Sequence, residues 1–394
     1  MMAGSDFDAI VIGARCAGSP TAMLLARQGC RVLLLDRATF PSDTLSTHLL
    51  HPPGVDALRR WGLLGEVIAT GCPAIDTYRF DFGAFILSGS PGTADSPVAF
   101  APRRTVLDNI LVSAAGRAGV EVRLGFNVAE IMVERGRVVG VRGRHNGRQV
   151  TERAAVVVGA DGLRSTLAAA VRPEAYREKP RLLAGYYGYW TGLEMHGCFE
   201  TYVRTARAFA AWPTNDDLTV VIGGWPFAEF ETNRTDAERH YLAMFDLAPD
   251  FAERLRSAER VGRVVGAAVA NYLRKPYGPG WALVGDAGYN KDFITAQGMQ
   301  DAFRDAELCA DAIVDGLGGR RSMADALAQY QASRDAAVVG IYDLTTELAT
   351  LEPPSPPMAE LLLSLRASQA GMDLFARVNA GVTPPGRLLE SVAH

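Results

Sequence analysis

Residues 11–37 read VIGARCAGSPTAMLLARQGCRVLLLDR, and the residue in the middle of the first turn decides what this stretch can bind. FDAIVIG, ending at Gly13, is a nearly continuous apolar run before a glycine, the pattern of a parallel strand buried on both faces. PTAMLLARQG has helix-compatible apolar spacing and stops at Gly29. RVLLLD is a second buried strand and ends in Asp36, 23 residues after Gly13. Together they make a strand, turn, helix and strand, with an acid where a ribose hydroxyl is met. Gly13 supplies the tight bend, Gly18 lets the helix start close to a pyrophosphate, and Ala22 is small enough for helix–strand packing. Arg15 stands where a second glycine would let phosphate approach the backbone. Its Cβ pushes phosphate outward, while its guanidinium can swing round to bond that phosphate bidentately beside a helix N-terminus. With two glycines of three, a chance GxxxxG turn is the alternative.

The chain has 394 residues, enough for two or three domains and a sizeable core. Apolar residues are 48%, charged residues 21%, and the net charge is −4, so no basic excess suggests a nucleic-acid partner. Five cysteines (Cys16, Cys30, Cys72, Cys198, Cys309), never closer than fourteen residues, form neither a CxxC pair nor a zinc knuckle. No signal-like start and no apolar run of about 18 residues is present, so a soluble cytoplasmic protein is expected.

Two distant segments agree with the first. AAVVVGADGLRS (154–165) is a buried strand, then Gly159, Asp161 and Gly162 in a turn, then Arg164 and Ser165 opening a short helix. GWALVGDAGYNKDFITAQGMQDAFRDAELCADAI carries a strand at 281–284, then Gly285 and Asp286, a loop, and a long amphipathic helix over 297–313. Each places a carboxylate at a strand's C-terminal end, where open α/β sheets bind ligands; an ordinary turn or helix-cap aspartate is the alternative at each. The order GxxxxG…D, RxxL, GADGxxS and GDA…D…G, at spacings of about 145 and 125 residues, resembles the flavoprotein monooxygenases of the p-hydroxybenzoate hydroxylase type and their geranylgeranyl reductase relatives. The resemblance extends to about Gly340, and GARCAGS looks like a known variant of the first turn within that superfamily.

That resemblance implies an α/β fold in which a Rossmann-like FAD-binding domain carries an inserted antiparallel substrate sheet and C-terminal helices. It implies FAD as cofactor and NAD(P)H as transient reductant. Position by position, Gly13, Arg15 and Gly18 would lie against the pyrophosphate, with Asp36 on the adenosine ribose and Arg37 beside the adenine. Arg104, heading RTVLDNIL, would reach the phosphate or ribityl region, and Val128 would contact adenine through its backbone. Asp161 would be tied to the pyrophosphate and the dinucleotide substrate, and Asp286 would bond the ribityl chain. The loop 295–299, with Thr295, Gly298 and Met299, would present N–H groups to flavin N1 and the C2 carbonyl. Phe293 replaces the proline usual in these families and would sit near the reactive edge of the flavin.

Between the second and third motifs the texture changes to short β-rich runs separated by turns such as PTNDD, which predicts an antiparallel sheet. Tyr187, Tyr189, Trp190, Phe209, Trp212 and Trp225 cluster there and, with Phe293, suggest a pocket for a small apolar or aromatic substrate; filling the sheet–helix core is the alternative for each. The expected division is an FAD-binding domain of 1–75, 100–178 and 258–340, a substrate domain of 76–99 and 179–257, and a C-terminal helical segment of 341–394. One helix, TDAERHYLAMFDLAPDFAERLRSAE, is expected to cover the sheet before VGRVVGAAVANYL returns the chain to the cofactor domain.

His48 and His51 stand three apart, but no third ligand suggests a metal. By resemblance their segment passes near the flavin, which makes His48 a candidate for a polar contact or proton transfer, with a structural role as the alternative. The sequence offers no Ser/His/Asp or Cys/His nucleophile. The family chemistry, O2 activation through a flavin C4a-hydroperoxide, requires none. Reductase or dehydrogenase action on an apolar chain and non-catalytic flavin binding are the rival readings, and halogenation is disfavoured because no WxWxIP segment occurs.

Overall fold

The computed structural model describes residues 6–390. Five parallel strands lie side by side in the order Trp281–Leu283, Arg148–Gly159, Phe7–Ile12, Val32–Asp36 and Glu121–Leu124. Their apolar runs are continuous because both faces are covered. Ala9, Val11, Val32 and Leu34 point into a layer shared with the helices Gly18–Arg27, Arg104–Arg117 and Gly298–Leu317. Ile10, Ile12, Leu33 and Leu35 point the other way, onto Phe126, Ile131, Val138 and Val141 of an antiparallel meander and onto Leu167.

The second body is a seven-stranded sheet in the order Glu259–Ala267, Leu183–Thr191, Leu218–Pro226, Arg207–Pro213, Cys198–Arg204, Thr77–Asp81 and Ile86–Gly89. Its outer face is buried under the helices Ala237–Ala243 and Pro249–Arg256 through Tyr241, Met244, Phe245 and Phe251. Its inner face packs Tyr78, Phe80, Tyr187, Phe199 and Trp212 toward Ala296 and the C-terminal helices.

Three expectations are corrected here. The strand Glu259–Ala267 pairs with Leu183–Thr191, so the chain stays in the substrate sheet beyond 258 and joins the other half only afterwards. The expected single covering helix is two helices: the first ends at Ala243, a 3-10 turn over Phe245–Leu247 follows, and Pro249, suited to a first helical position, starts the second. Trp190, Phe209 and Trp225 lie on the outer face among Tyr241, Phe245 and Phe251, because strand side chains alternate; they are core, while Tyr187, Tyr189 and Trp212 face inward.

Helix Met323–Leu348 runs through position 340 without a break. After the proline-rich stretch come Pro356–Leu365 and Gln369–Asn379. The last of these lies so close to Ile86–Gly89 that a Cβ on Gly89 would meet the Met372 carbonyl oxygen at 2.5 Å. Among the described residues no helix is long and apolar enough to cross a membrane.

Candidate active site

Register brings the separated motifs to one level. Ile12 pairs with Leu35 and with Gly159, and Gly159 pairs with Leu283, so Asp36 ends one strand while Gly13, Asp161 and Asp286 follow the C-terminal ends of its neighbours. The turns interlock at backbone distance. A Cβ on Gly13, whose φ is +102°, would lie 2.4 Å from the Ala160 carbonyl oxygen; one on Gly18 would lie 1.7 Å from the Gly13 oxygen; one on Gly285 would lie 2.9 Å from the Ala17 Cβ. Glycine is therefore required at these points of contact between motifs. Helices Gly18–Arg27 and Gly298–Leu317 both begin without a side-chain cap; in the first, the Ser19 N–H donates to the Arg15 carbonyl at 3.0 Å and Pro20 has no N–H, so Gly18 carries the N–H left for a ligand, while the second leaves first-turn N–H groups for anionic or carbonyl oxygens. A Cβ added at Gly298 would meet nothing within 4 Å, so the second of these N-termini opens on space.

Asp36 accepts from the Ala14 N–H (2.7 Å) and the Ala38 N–H (2.7 Å), locking the first turn. The Phe126 N–H donates to the Asp36 carbonyl at 2.8 Å, which brings the strand of Val128 alongside, while Arg37 is exposed. Asp161 accepts from the Thr166 N–H at 2.6 Å and leaves Oδ1 buried without a partner. The Asp286 carboxylate makes no hydrogen bond among the described residues; burial raises its pKa to about 6, opposed by the charges of Arg104 and Lys291. Lys291 forms a buried ion pair with Asp301.

Arg15 is not free to swing. It donates to Asp108 Oδ2 (2.6 Å) and Ser42 Oγ (2.9 Å) and lies over the Phe40 ring. Arg104 donates to the other oxygen of the same carboxylate at 3.0 Å. Two guanidiniums on one buried carboxylate leave one net positive charge beside the uncapped helix, so the charge expected of Arg15 alone is held jointly. Sequence reasoning missed Asp108, although its i,i+4 spacing from Arg104 was a legible signal. Ser42 carried no signal.

The loop that follows Asp286 is held from three sides. His51 Nε2 donates to the Thr295 carbonyl at 3.0 Å, which leaves Nδ1 to accept from the Tyr78 hydroxyl at 2.6 Å. Thr295 also bonds Thr345 at 2.8 Å, and Gln297 donates to the Asn379 carbonyl at 2.8 Å. The Met299 side chain packs into the helical core, so only its backbone can face a ligand. His48 is fully buried with φ +59°; its Nε2 lies 2.6 Å from the Tyr189 hydroxyl and its Nδ1 has no partner. Burial, with Arg104 and Arg103 nearby, lowers its pKa to about 3, so it is neutral at ordinary pH. His48 and His51 thus have separate partners.

Two uncapped helix N-termini, a shared cationic cluster and an unpaired half-buried carboxylate suit the phosphates, ribityl hydroxyls and ring carbonyl of FAD. A profile of the FAD binding domain matches residues 6–345. The chain belongs to this family. It is a flavin-dependent oxidoreductase. It is 26% identical over 339 residues to a digeranylgeranylglycerophospholipid reductase of Methanocella arvoryzae, spanning 83% of this chain and 82% of that one. It is also 26% identical to a kynurenine 3-monooxygenase of Salinispora arenicola, across 94% and 87% of the two chains. The structure of the flavin-dependent brominase Bmp2 superposes with a TM-score of 0.84 over 98% of each chain at 18% identity, a likeness of fold.

Proposed function

We propose that this protein is an FAD-dependent monooxygenase that uses NAD(P)H and O2 to oxygenate a small apolar or aromatic substrate. Bound FAD would accept a hydride from NAD(P)H and activate O2. The chain's own groups bind, orient and exclude water. Gly13, Gly18 and the N-terminus of helix Gly18–Arg27 would receive the pyrophosphate, assisted by Arg15 and Arg104; Asp36 and the backbone near Val128 would flank the adenosine, with Asp161 beside the phosphates. Asp286 would accept from a ribityl hydroxyl, and the N–H groups opening helix Gly298–Leu317 would face the ring carbonyl and stabilise negative charge on it.

The observation that carries this reading is the position of one apolar cavity. It lies between the inner face of the seven-stranded sheet and the loop 293–296, immediately before the uncapped helix, and is lined by Leu183, Phe199, Ala208, Trp212, Ile222 and Phe293, among others. A substrate there would meet the reactive edge of the ring system in a site from which water is excluded. His48, buried and neutral beside Tyr189, is the candidate for moving a proton at Nε2.

Purified protein should be yellow, and NAD(P)H oxidation with a panel of aromatic and isoprenoid compounds should consume O2 and yield an oxygenated product. The likeness to a digeranylgeranylglycerophospholipid reductase favours a second reading, FAD-dependent reduction of an apolar chain. Substrate turnover with no oxygen incorporated would establish the second reading and remove the first.

A further inference from the structure

The segment between Asp286 and Gly298 is fastened by charge. Of the chain's three lysines, Lys179 and Lys275 are exposed and Lys291 is buried. It follows the short strand Tyr289–Asn290, which pairs with Asn271–Arg274. Its Nζ donates to the Tyr289 hydroxyl at 2.7 Å and forms an ion pair with Asp301 in the first turn of helix Gly298–Leu317. Arg304 reaches Asp301 at 3.0 Å and Asp305 at 3.6 Å, and Asp305 accepts from the Gly285 N–H at 3.3 Å. The helix is thus tied to the chain on both sides of Asp286. Burying this cluster costs desolvation that its internal bonds recover only in part: Arg304 Nε and Asp305 Oδ1 are buried with no hydrogen bond. Apolar side chains at 291 and 301 would join the same segments at lower cost, so fastening alone does not call for a charge at Lys291. Asp286, Lys291, Gly298 and Asp301 share the wall of one small cavity. Burial raises the Asp301 pKa, but the charges of Lys291 and Arg304 outweigh it and hold the carboxyl below its usual range. The wall therefore carries a fixed negative charge, and Lys291 helps to balance it.

We infer that Lys291 is a positioning residue that sets the redox balance of the cofactor: its buried positive charge, in the wall shared with Asp286 and the helix N-terminus at Gly298, makes reduced FAD bind more tightly relative to oxidised FAD. The inference rests on the placement of the flavin proposed above and is independent of which substrate is turned over. Reduction adds negative charge to the ring system, which a cation in the wall favours and a carboxylate opposes. Without Lys291, Asp301 would be left to Arg304 and the wall would be more negative. Without Asp301, Lys291 would be unbalanced and the wall more positive. A role in fastening alone gives no such reversal of sign.

The test is redox titration of the FAD-loaded protein against reference dyes, with fluorescence titration of oxidised FAD, on wild type, Lys291→Met, Asp301→Asn and the double variant; melting curves establish that each is folded. Lys291→Met should lower the affinity of reduced relative to oxidised FAD by about tenfold, a fall in midpoint potential of about 30 mV for a two-electron couple. Asp301→Asn should raise it by about as much, and the double variant should return to within about threefold of wild type. Should Lys291→Met fail to fold, Asp301→Asn against the double variant reads the same lysine charge, and the double variant should have the lower potential. Equal potentials in those two, shifts of the same sign in both single variants, or losses of affinity that are equal for oxidised and reduced FAD would overturn the assignment, while a yellow protein leaves the flavoenzyme reading standing. A folded wild-type protein that takes up no FAD would overturn both.

Discussion

The two sheets bury apolar side chains on both faces, yet they handle polar groups in opposite ways. At the strand ends of the parallel sheet the groups are carboxylates and guanidiniums: Asp108, buried between Arg15 and Arg104, and the half-buried Asp161, with one oxygen unpaired, and Asp286, with neither oxygen bonded. Among those against the inner face of the seven-stranded sheet, His48 with Tyr189, His51 with Tyr78 and the hydroxyl of Thr201 are neutral. A charged end suits the invariant polar parts of a dinucleotide, and a neutral end suits an apolar reactant. Fixed charges facing the apolar cavity would have to be stripped of water whenever an apolar ligand entered.

Four measurements would break or sharpen this contrast. The largest effect is expected at the interlocked turns. Gly18→Ala puts a methyl carbon inside the contact radius of the Gly13 carbonyl, and should cost about 3 kcal/mol or more in denaturant unfolding and abolish FAD retention. A variant that unfolds like wild type and stays yellow would show that the turn has slack.

The neutral end predicts acid lability. The pKa of His48 is lowered to about 3 from the usual 6.5, so the unfolded chain takes up the proton first; this group's stabilisation is complete above about 6.5 and is lost as pH falls toward 3. At pH 5 the loss is about 2 kcal/mol, from about 1.5 pH units of uncompensated titration. His48→Asn, which tolerates the positive φ, should flatten the stability profile between pH 6.5 and 5. An unchanged slope would move the acid sensitivity to other groups.

The charged end predicts the opposite slope. Asp286 has its pKa raised to about 6 from 3.8, so the folded chain holds a proton that the unfolded chain has released, and its contribution to stability falls as pH rises from about 4 to 6. Asp286→Asn should stabilise the FAD-free protein by about 1–2 kcal/mol at pH 7, a shift discounted for the partial exposure of the residue. The same change should sharply weaken FAD binding. A variant that gains stability and keeps full FAD occupancy would separate Asp286 from the ribityl chain. The smallest effect is expected for Arg15→Ala: because Arg104 continues to hold Asp108, FAD affinity should fall by about 1 kcal/mol in a fluorescence titration, roughly fivefold.

The charged end was the more legible half. Gly13, Gly18, Gly285 and the aspartates that follow the strands could be read from sequence because backbone geometry restricts these positions to one or two residue types. Asp108 was overlooked although it stands one helical turn from Arg104. In the other half, the aromatic residues of the sheet fit pocket and core alike by type, and Trp190, Phe209 and Trp225 face the opposite layer. Residue type does not say which face of a strand is which until its neighbours are known. The strand Glu259–Ala267 was misassigned for a related reason: VGRVVGA reads equally well as an edge strand of either sheet.

Sequence alone therefore determined the α/β architecture, the FAD family and the level at which the motifs meet, because these depend on local rules: buried runs, tight turns and helix starts. Tertiary structure alone decided how Arg15 is restrained, which aromatics line the apolar cavity, and that Thr201 faces it without a partner. Those facts arise from pairing between segments far apart in the chain, where a shift of one residue in register would reverse every side chain.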